Sequence, residues 1–280
     1  MNAVQYSVEP LLRVAQAFPA TPRIMADLGR LLRDPNADLK DVATLLKRDS
    51  TLAARLLRVA NSAAFGQSEH VASIDDAAIL IGFQEIHRLV GAVAIDQFSQ
   101  WNYPLYGFPG RRLRENALFV ALLMEEIARS ADVDPQTAYT IGLFRSIGKL
   151  VLEKLGAESR PVPPFNSDRD TDLIIWEKHS FGITANEATA IILRQWRFPP
   201  EIAAAIAEHF ALPGEDHPLA QLLNLASGIA EELGYGLPGE KRYWRDADTL
   251  CRLAGIDPKQ SKRRIDRALA AFERLSRSID

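Results

Sequence analysis

Gly142-Leu143-Phe144-Arg145-Ser146-Ile147-Gly148-Lys149-Leu150 decides how this chain is read. Two glycines and several aliphatic residues frame an Arg-Ser pair, so an apolar frame carries a permanent cation at its centre. A guanidinium has no lone pair to donate and cannot ligate a metal ion. Outward from this stretch, apolar residues recur three and four positions apart: Val42, Leu45, Leu46, then Leu52, Ala53, Leu56, Leu57, Ala60, then Ile86, Leu89, Val90, Val93. That is helical spacing with aliphatic stripes turned to a core. Helix starts are marked by Asp38 before Leu39, by Asp49 or Ser50 before Leu52, and by Asp134-Pro135 before the run through Tyr139 and Leu143. No stretch alternates convincingly enough for a sheet. The expectation is an all-α protein of two closely packed helical blocks.

The best boundary candidate is the aromatic, Pro- and Gly-rich run from Trp101 to Gly110, read as a packed connector, which divides the chain into blocks 1–108 and 109–280. The segment from Ala157 to Asp172 breaks the pattern with three prolines and several charges and reads as an exposed loop or a short lid. From Asp257 onward, Ile265, Ala268, Leu269, Phe272 and Leu275 predict a locally basic amphipathic helix. A net charge of −3 over 280 residues supplies no global attraction to nucleic acid or anionic membrane. The lone Cys251 excludes an internal disulfide and argues for a reducing compartment. With no signal-like start and no apolar run of ~18 residues, the expected location is the cytoplasm.

These residues together resemble HDOD-domain proteins, bacterial signalling modules related to HD-type metal phosphohydrolases, over roughly residues 10 to 235. The N-terminal part of the resemblance is carried by Pro19 to Pro22, Asp49, Leu52, Arg55 to Leu57, Ala60 to Ser62, Gly66, and Ile74, Asp75, Ala77, Ile79 and Gly82. The C-terminal part is carried by the opening frame, by Glu187 to Trp196, and by Pro199, Glu201, Ile202 and His209. The resemblance implies that the second block is HD-like. In HD enzymes the frame reads Gly-Leu-Leu-His-Asp-Ile-Gly-Lys-Leu, and its His and Asp bind metal.

Here Arg145 and Ser146 stand in place of that pair, and by the same resemblance Asn116, Ala185 and Ser227 occupy the other ligand positions. Only His209 is left near the implied pocket. A hydrolytic metal centre needs several N or O ligands and an open coordination position, and Arg145 would repel a divalent ion. The resemblance therefore implies no metal, no cofactor and no catalysis.

The remaining candidates each carry a plain reading beside a sharp one. Arg145, with Lys149 and His209, is a candidate site for an anionic small ligand or nucleotide, but a salt bridge to an acidic neighbour explains Arg145 more simply. Lys149 is read as a brace or cap of its helix. Asn61 and Ser62 are read as a helix end satisfying loose backbone groups, or as contacts to a ligand or partner between the two blocks. His87 is read as a surface or half-buried helix residue. Glu125-Glu126 and Asp75-Asp76 diverge on a helix and are read as solvated faces or helix-start charges. His70, His179 and His217 lack metal spacing, and Gly234-Tyr235-Gly236-Leu237-Pro238 is too isolated to count as a signature. Leu39 to Ala60 imitates a DNA-binding helix-turn-helix with Arg48, Arg55 and Arg58, yet its second helix is committed to the core.

The expected function is signalling by interaction with a protein partner of a bacterial pathway, gated by a ligand in the degenerate pocket or by a change in the angle between the blocks. A DNA-binding regulator is the alternative, and a metal-dependent phosphohydrolase the remote one. The acidic balance speaks against nucleic acid, and nothing points to a membrane.

Overall fold

The order of elements follows the capping residues. In the computed structural model, which describes residues 8–62, 70–131, 133–158, 162–166, 172–211, 217–246, 251 and 257–279, the chain opens with α1 (Val8–Gln16), α2 (Thr21–Leu31), α3 (Leu39–Leu46), α4 (Ser50–Ala60), α5 (Ile74–Ile81) and α6 (Phe83–Asp96). A short antiparallel pair, β1 (Asn102–Tyr103) and β2 (Phe108–Pro109), leads into α7 (Gly110–Ala128), α8 (Pro135–Phe144) and α9 (Ile147–Glu158). Then come α10 (Leu173–Phe181), α11 (Ala185–Gln195), α12 (Pro200–Glu208), α13 (Pro218–Glu232), a 3-10 turn at Lys241–Tyr243, and α14 (Pro258–Ile279).

Asp38 accepts from the backbone N–H groups of Lys40 and Asp41, while the Asp41 carboxylate accepts from the Asp38 N–H, closing a reciprocal box on α3. Asp49 accepts from the Thr51 and Leu52 N–H groups at the start of α4, and Asp134 from the Thr137 N–H of α8, whose leading Pro135 has no N–H to satisfy. Losing such a cap typically costs about 1 kcal/mol.

The described chain forms two compact units. The larger holds α1 through Phe18 and runs again from Phe98 to Phe272; the smaller holds Pro19–Gln97 and the end of α14. This differs from the division at 108/109 expected from the sequence. The physical reason is packing: α1 lies on α9 and α11, and Tyr103, Tyr106 and Phe108 of the connector are buried within the larger unit. The connector is thus packed, as its aromatics implied, and its stacked Tyr103–Phe108 pair, 5.0 Å apart, holds the minimal hairpin that the sequence reading had not anticipated.

In the larger unit α8 packs along α7, α9 on α11, and α13 on α7. The two glycines of the opening frame make this possible. A Cβ on Gly142 would press into the Ala121 backbone of α7, and one on Gly148 would fall on the Ala185 carbonyl oxygen of α11. Any larger residue would force these helices apart. In the smaller unit α2 packs on α6 and α3, and α5 meets α3, α4 and α6.

Two polar readings are corrected by burial. His87 on α6 is buried rather than half-exposed, and Glu125 and Glu126 are buried on α7 and held by Arg129, not solvated. Both helices are enclosed nearly all round, so a polar residue cannot find a wet face. Asp75 and Asp76 do sit in the first turn of α5. On α14, Ala268, Ala271, Phe272 and Leu275 are buried, and the Phe272 ring meets Phe119 and Tyr235 edge-on. In the 157–172 interruption, Phe165 is buried against Trp176; residues 159–161 and 167–171, like Gly66 of the N-terminal motif, lie outside the described residues. Among the described residues no single helix is long and apolar enough to cross a membrane; α5 and α6 pass such a test only as a pair bent by 112°.

Candidate functional site

Arg145 closes α8, and its guanidinium is turned wholly into the larger unit, 1% exposed. Its Nη2 donates to Asn116 Oδ1 of α7 at 2.8 Å and to Glu240 Oε2 at 2.7 Å. Lys149, in the first turn of α9 and also buried, places Nζ 3.2 Å from Glu240 Oε1, 3.9 Å from Glu177 Oε1 and 4.8 Å from the centre of the Tyr106 ring. Glu177 of α10 accepts from the Tyr106 hydroxyl at 3.0 Å and from the Ala185 N–H at 2.8 Å. Two cations and two carboxylates therefore close on one another without solvent. Each would be costly if buried alone, and each is compensated by the next.

Glu240 reaches this position on a strap, Leu233 to Trp244, that follows α13. Gly234 and Gly239 take φ of +83° and +82°, a conformation open to glycine at little cost, and bracket the turns that carry Glu240 inward. Three side chains hold the strap by its backbone: Asn116 Nδ2 on the Tyr235 carbonyl at 2.7 Å, Arg112 Nε on that of Gly236 at 2.8 Å, and Asn224 Nδ2 on that of Tyr243 at 2.9 Å. Burial pushes the Glu240 carboxyl up, but Arg145 and Lys149 outweigh it and hold the group below the usual carboxylate range. Burial has the upper hand at Glu177, whose carboxyl is pushed up despite Lys149.

His209 follows α12 and is fully enclosed. Its Nδ1 lies 2.8 Å from the Ile206 carbonyl oxygen and so carries the proton, leaving Nε2 as a bare lone pair. Burial, with the charge of Arg145 added, depresses its pKa to about 3, and the ring is neutral. Trp244 lies against both groups, stacked at 6.1 Å on His209 and with its ring centre 5.5 Å from Arg145 Cζ. Arg145 Nε, Ser146 Oγ, Ser227 Oγ and His209 Nε2 are buried with no hydrogen-bond partner among the described residues.

Of the candidate residues, Arg145, Lys149, Asn116 and His209 converge on this network. Ser146 adjoins it in sequence, Ala185 contributes its N–H, and Ser227 precedes Gly228, which lies against Trp244. The plain reading of Arg145 as a partner of an acidic neighbour agrees with this geometry. Lys149, read as a brace or cap of its helix, reaches across to Glu240 and Glu177. Asn61 and Ser62 lie in the smaller unit, where Asn61 bonds the Leu57 and Val71 carbonyls and the Val71 N–H, as expected of a helix end. Glu240, Glu177, Tyr106 and Trp244 were missed. Only the glycines at 234, 236 and 239 signalled that a shaped loop follows α13.

These residues do not fit a divalent metal. The donors are one imidazole lone pair, an amide oxygen already taken by Arg145, and the Glu240 and Glu177 carboxylates, which the two buried cations already engage. Among the described residues no group of three or more His, Cys, Asp or Glu is arranged to hold a metal ion. The outer side of the strap lines a groove of about 660 Å³ in which Arg111 and Arg112 face Glu115 and Glu231. In the helix-turn-helix-like segment, Leu52, Leu56, Val59 and Ala60 are buried, and Arg55 is engaged by Asp96 at 2.9 Å.

Compared with known proteins, the sequence model of the HDOD domain matches residues 18–212. An uncharacterized protein of Treponema pallidum (strain Nichols) is 22% identical over 267 residues, 91% of this chain and 50% of its own length, so the chain spans about half of that relative. Among solved structures, an HDOD domain protein of unknown function from Geobacter sulfurreducens superposes with a TM-score of 0.68 at 21% identity, covering 95% of this chain and 97% of its own. A protein of Shewanella amazonensis SB2B named for phosphohydrolase activity gives 0.64 at 24% identity, with 99% of both chains covered. A protein of Marinobacter aquaeolei VT8 named for signal transduction gives 0.69 at 20% identity, covering 98% of this chain and 66% of its own. At these identities the likeness is one of fold.

Proposed function

This chain belongs to the HDOD-domain family, and from that premise we propose that it is a non-catalytic signalling protein acting through contacts with other proteins. The observation that carries the reading is the Arg145–Glu240–Lys149–Glu177 network. Where the resemblance to HD enzymes implies a metal and an open coordination position, this chain has a buried arginine neutralised by its own carboxylate. A water activated for hydrolysis needs a metal or a general base beside it. The one imidazole in the network faces two cations and is neutral, and it is sealed from solvent. The retained frame glycines serve helix packing, which selection for shape alone would keep.

Signalling by such a module needs two states that a partner binds differently, and a few kcal/mol of differential affinity suffices to move between them. The test is elemental analysis of the purified protein together with a manganese-supplemented phosphodiesterase assay. The expected result is metal well below one equivalent and no turnover; manganese-dependent turnover would defeat the reading. Affinity capture from a bacterial lysate should then retain a specific partner at physiological salt, and failure to do so would remove the protein-interaction half of the proposal.

A further inference from the structure

Glu240 matches the hydrogen-bonding groups of this buried region poorly. Glu240 Oε2 takes Arg145 Nη2, whereas Oε1, 3.2 Å from Lys149 Nζ, has no hydrogen-bond partner among the described residues. Arg145 Nε–H and the Ser146 and Ser227 hydroxyls are left over, buried and unanswered among the described residues. The cations and most of these donors come from helices or helix ends, whereas the carboxylate comes from a strap turned by two glycines and held by three side-chain bonds to its backbone. A carboxylate brings two acceptor atoms and one charge to this place; a phosphate group brings more acceptors and up to two charges.

We propose that the Arg145–Lys149 pocket is an oxyanion site, occupied in this conformation by Glu240 as a built-in substitute, and that a phosphate group displaces Glu240 and releases the strap. The inference rests on the non-catalytic reading of the same site and adds a ligand class to it. Asn116 links the two events, since its Oδ1 accepts from Arg145 while its Nδ2 holds the strap at Tyr235. The groove outside the strap, with Arg111 and Arg112 on its wall, gives an anion a place from which to enter. Glu177 lies 3.9 Å from Lys149, but its oxygens are engaged by Tyr106 and Ala185, so it stays when Glu240 leaves.

The experiment is thermal unfolding of the full chain titrated with inorganic phosphate against chloride at matched ionic strength, for the wild type, Glu240→Gln and the double variant Glu240→Gln with Arg145→Met. Phosphate also stabilises proteins generally by exclusion from their surface, so the informative part is saturable and absent from the double variant. The expected result is a saturating rise in Tm of roughly 5 °C at ~100-fold excess over Kd in the wild type, and a larger one in Glu240→Gln. Adenosine monophosphate, run in parallel, separates a free-phosphate site from one that takes a phosphate ester; a response to either sustains the oxyanion.

Hydrogen exchange of the wild type supplies a second readout that needs no variant to fold. Phosphate should speed exchange across Leu233 to Tyr243. A Tm response no greater than the double variant's, or an unchanged strap, overturns the proposal. A response in Glu240→Gln alone also overturns it, because Glu240 would then be a permanent plug. Metal content and turnover do not enter these readouts, so failure here and failure of the non-catalytic reading are distinguishable.

Discussion

Charged side chains do different work in the two compact units. In the larger, Arg145, Lys149, Glu240 and Glu177 are enclosed and answer one another. In the smaller, Lys47–Asp75 is open to water and Arg55–Asp96 partly so. Water screens the second kind and cannot reach the first, so similar distances carry very different energies. The contrast teaches that the region around the Arg145-Ser146 frame concentrates charge, with the protein's own groups in balance.

The sharpest way to break the contrast is Glu240→Ala. It strands two buried cations and should cost about 3–5 kcal/mol in denaturant unfolding. Replacing Arg145 with Met together with Glu240→Gln should recover much of that loss, because a paired removal leaves only Lys149, which retains Glu177. If the single and double variants were equally destabilised, the coupling between Arg145 and Glu240 would be refuted.

Next in size is Gly148→Ala. The added methyl meets the Ala185 carbonyl and should cost about 2–3 kcal/mol, with a lowered Cm and an unchanged m-value.

His209 comes third. Its folded pKa of about 3 lies below the ordinary 6.5, so the unfolded chain binds the proton first. Stability is complete above pH 6.5 and falls as pH drops toward 3, at a limiting slope of about 1.4 kcal/mol per pH unit. Glu153, Glu177 and Glu231, whose carboxyls burial pushes up, oppose that slope at the acid end. Urea titrations at pH 7 and pH 5 should therefore show a loss of about 1–2 kcal/mol that largely disappears in His209→Gln.

The smallest effect is expected at the partly exposed Arg55. Arg55→Ala should cost no more than about 1 kcal/mol, and the cost should shrink in high salt. A large, salt-insensitive loss there would erase the contrast between the units.

Much of this arrangement is legible in the sequence because it is local. Asp38, Asp49 and Asp134 act within three residues of themselves, and the helical spacing of the aliphatic residues acts within a turn or two. Gly142 and Gly148 were visible as a frame, though only the fold shows that they admit Ala121 and Ala185. The partners of Arg145 were not legible. Glu240, Glu177 and Tyr106 come from a strap, another helix and the connector, and no spacing along the chain announces them. His87 and Glu125 were misread for a related reason: residue polarity predicts exposure only where a helix has a wet face, and α6 and α7 have little.

The strap also bears on how quickly the molecule can come apart. Arg145 and Glu240 are 95 residues apart in sequence, so their pairing closes a long loop, whereas the caps close at once. Contacts of that span tend to form after the main barrier to folding has been crossed. Weakening this one should accelerate unfolding while leaving the refolding rate nearly unchanged, making Glu240 a brake on escape from the native state rather than a guide toward it.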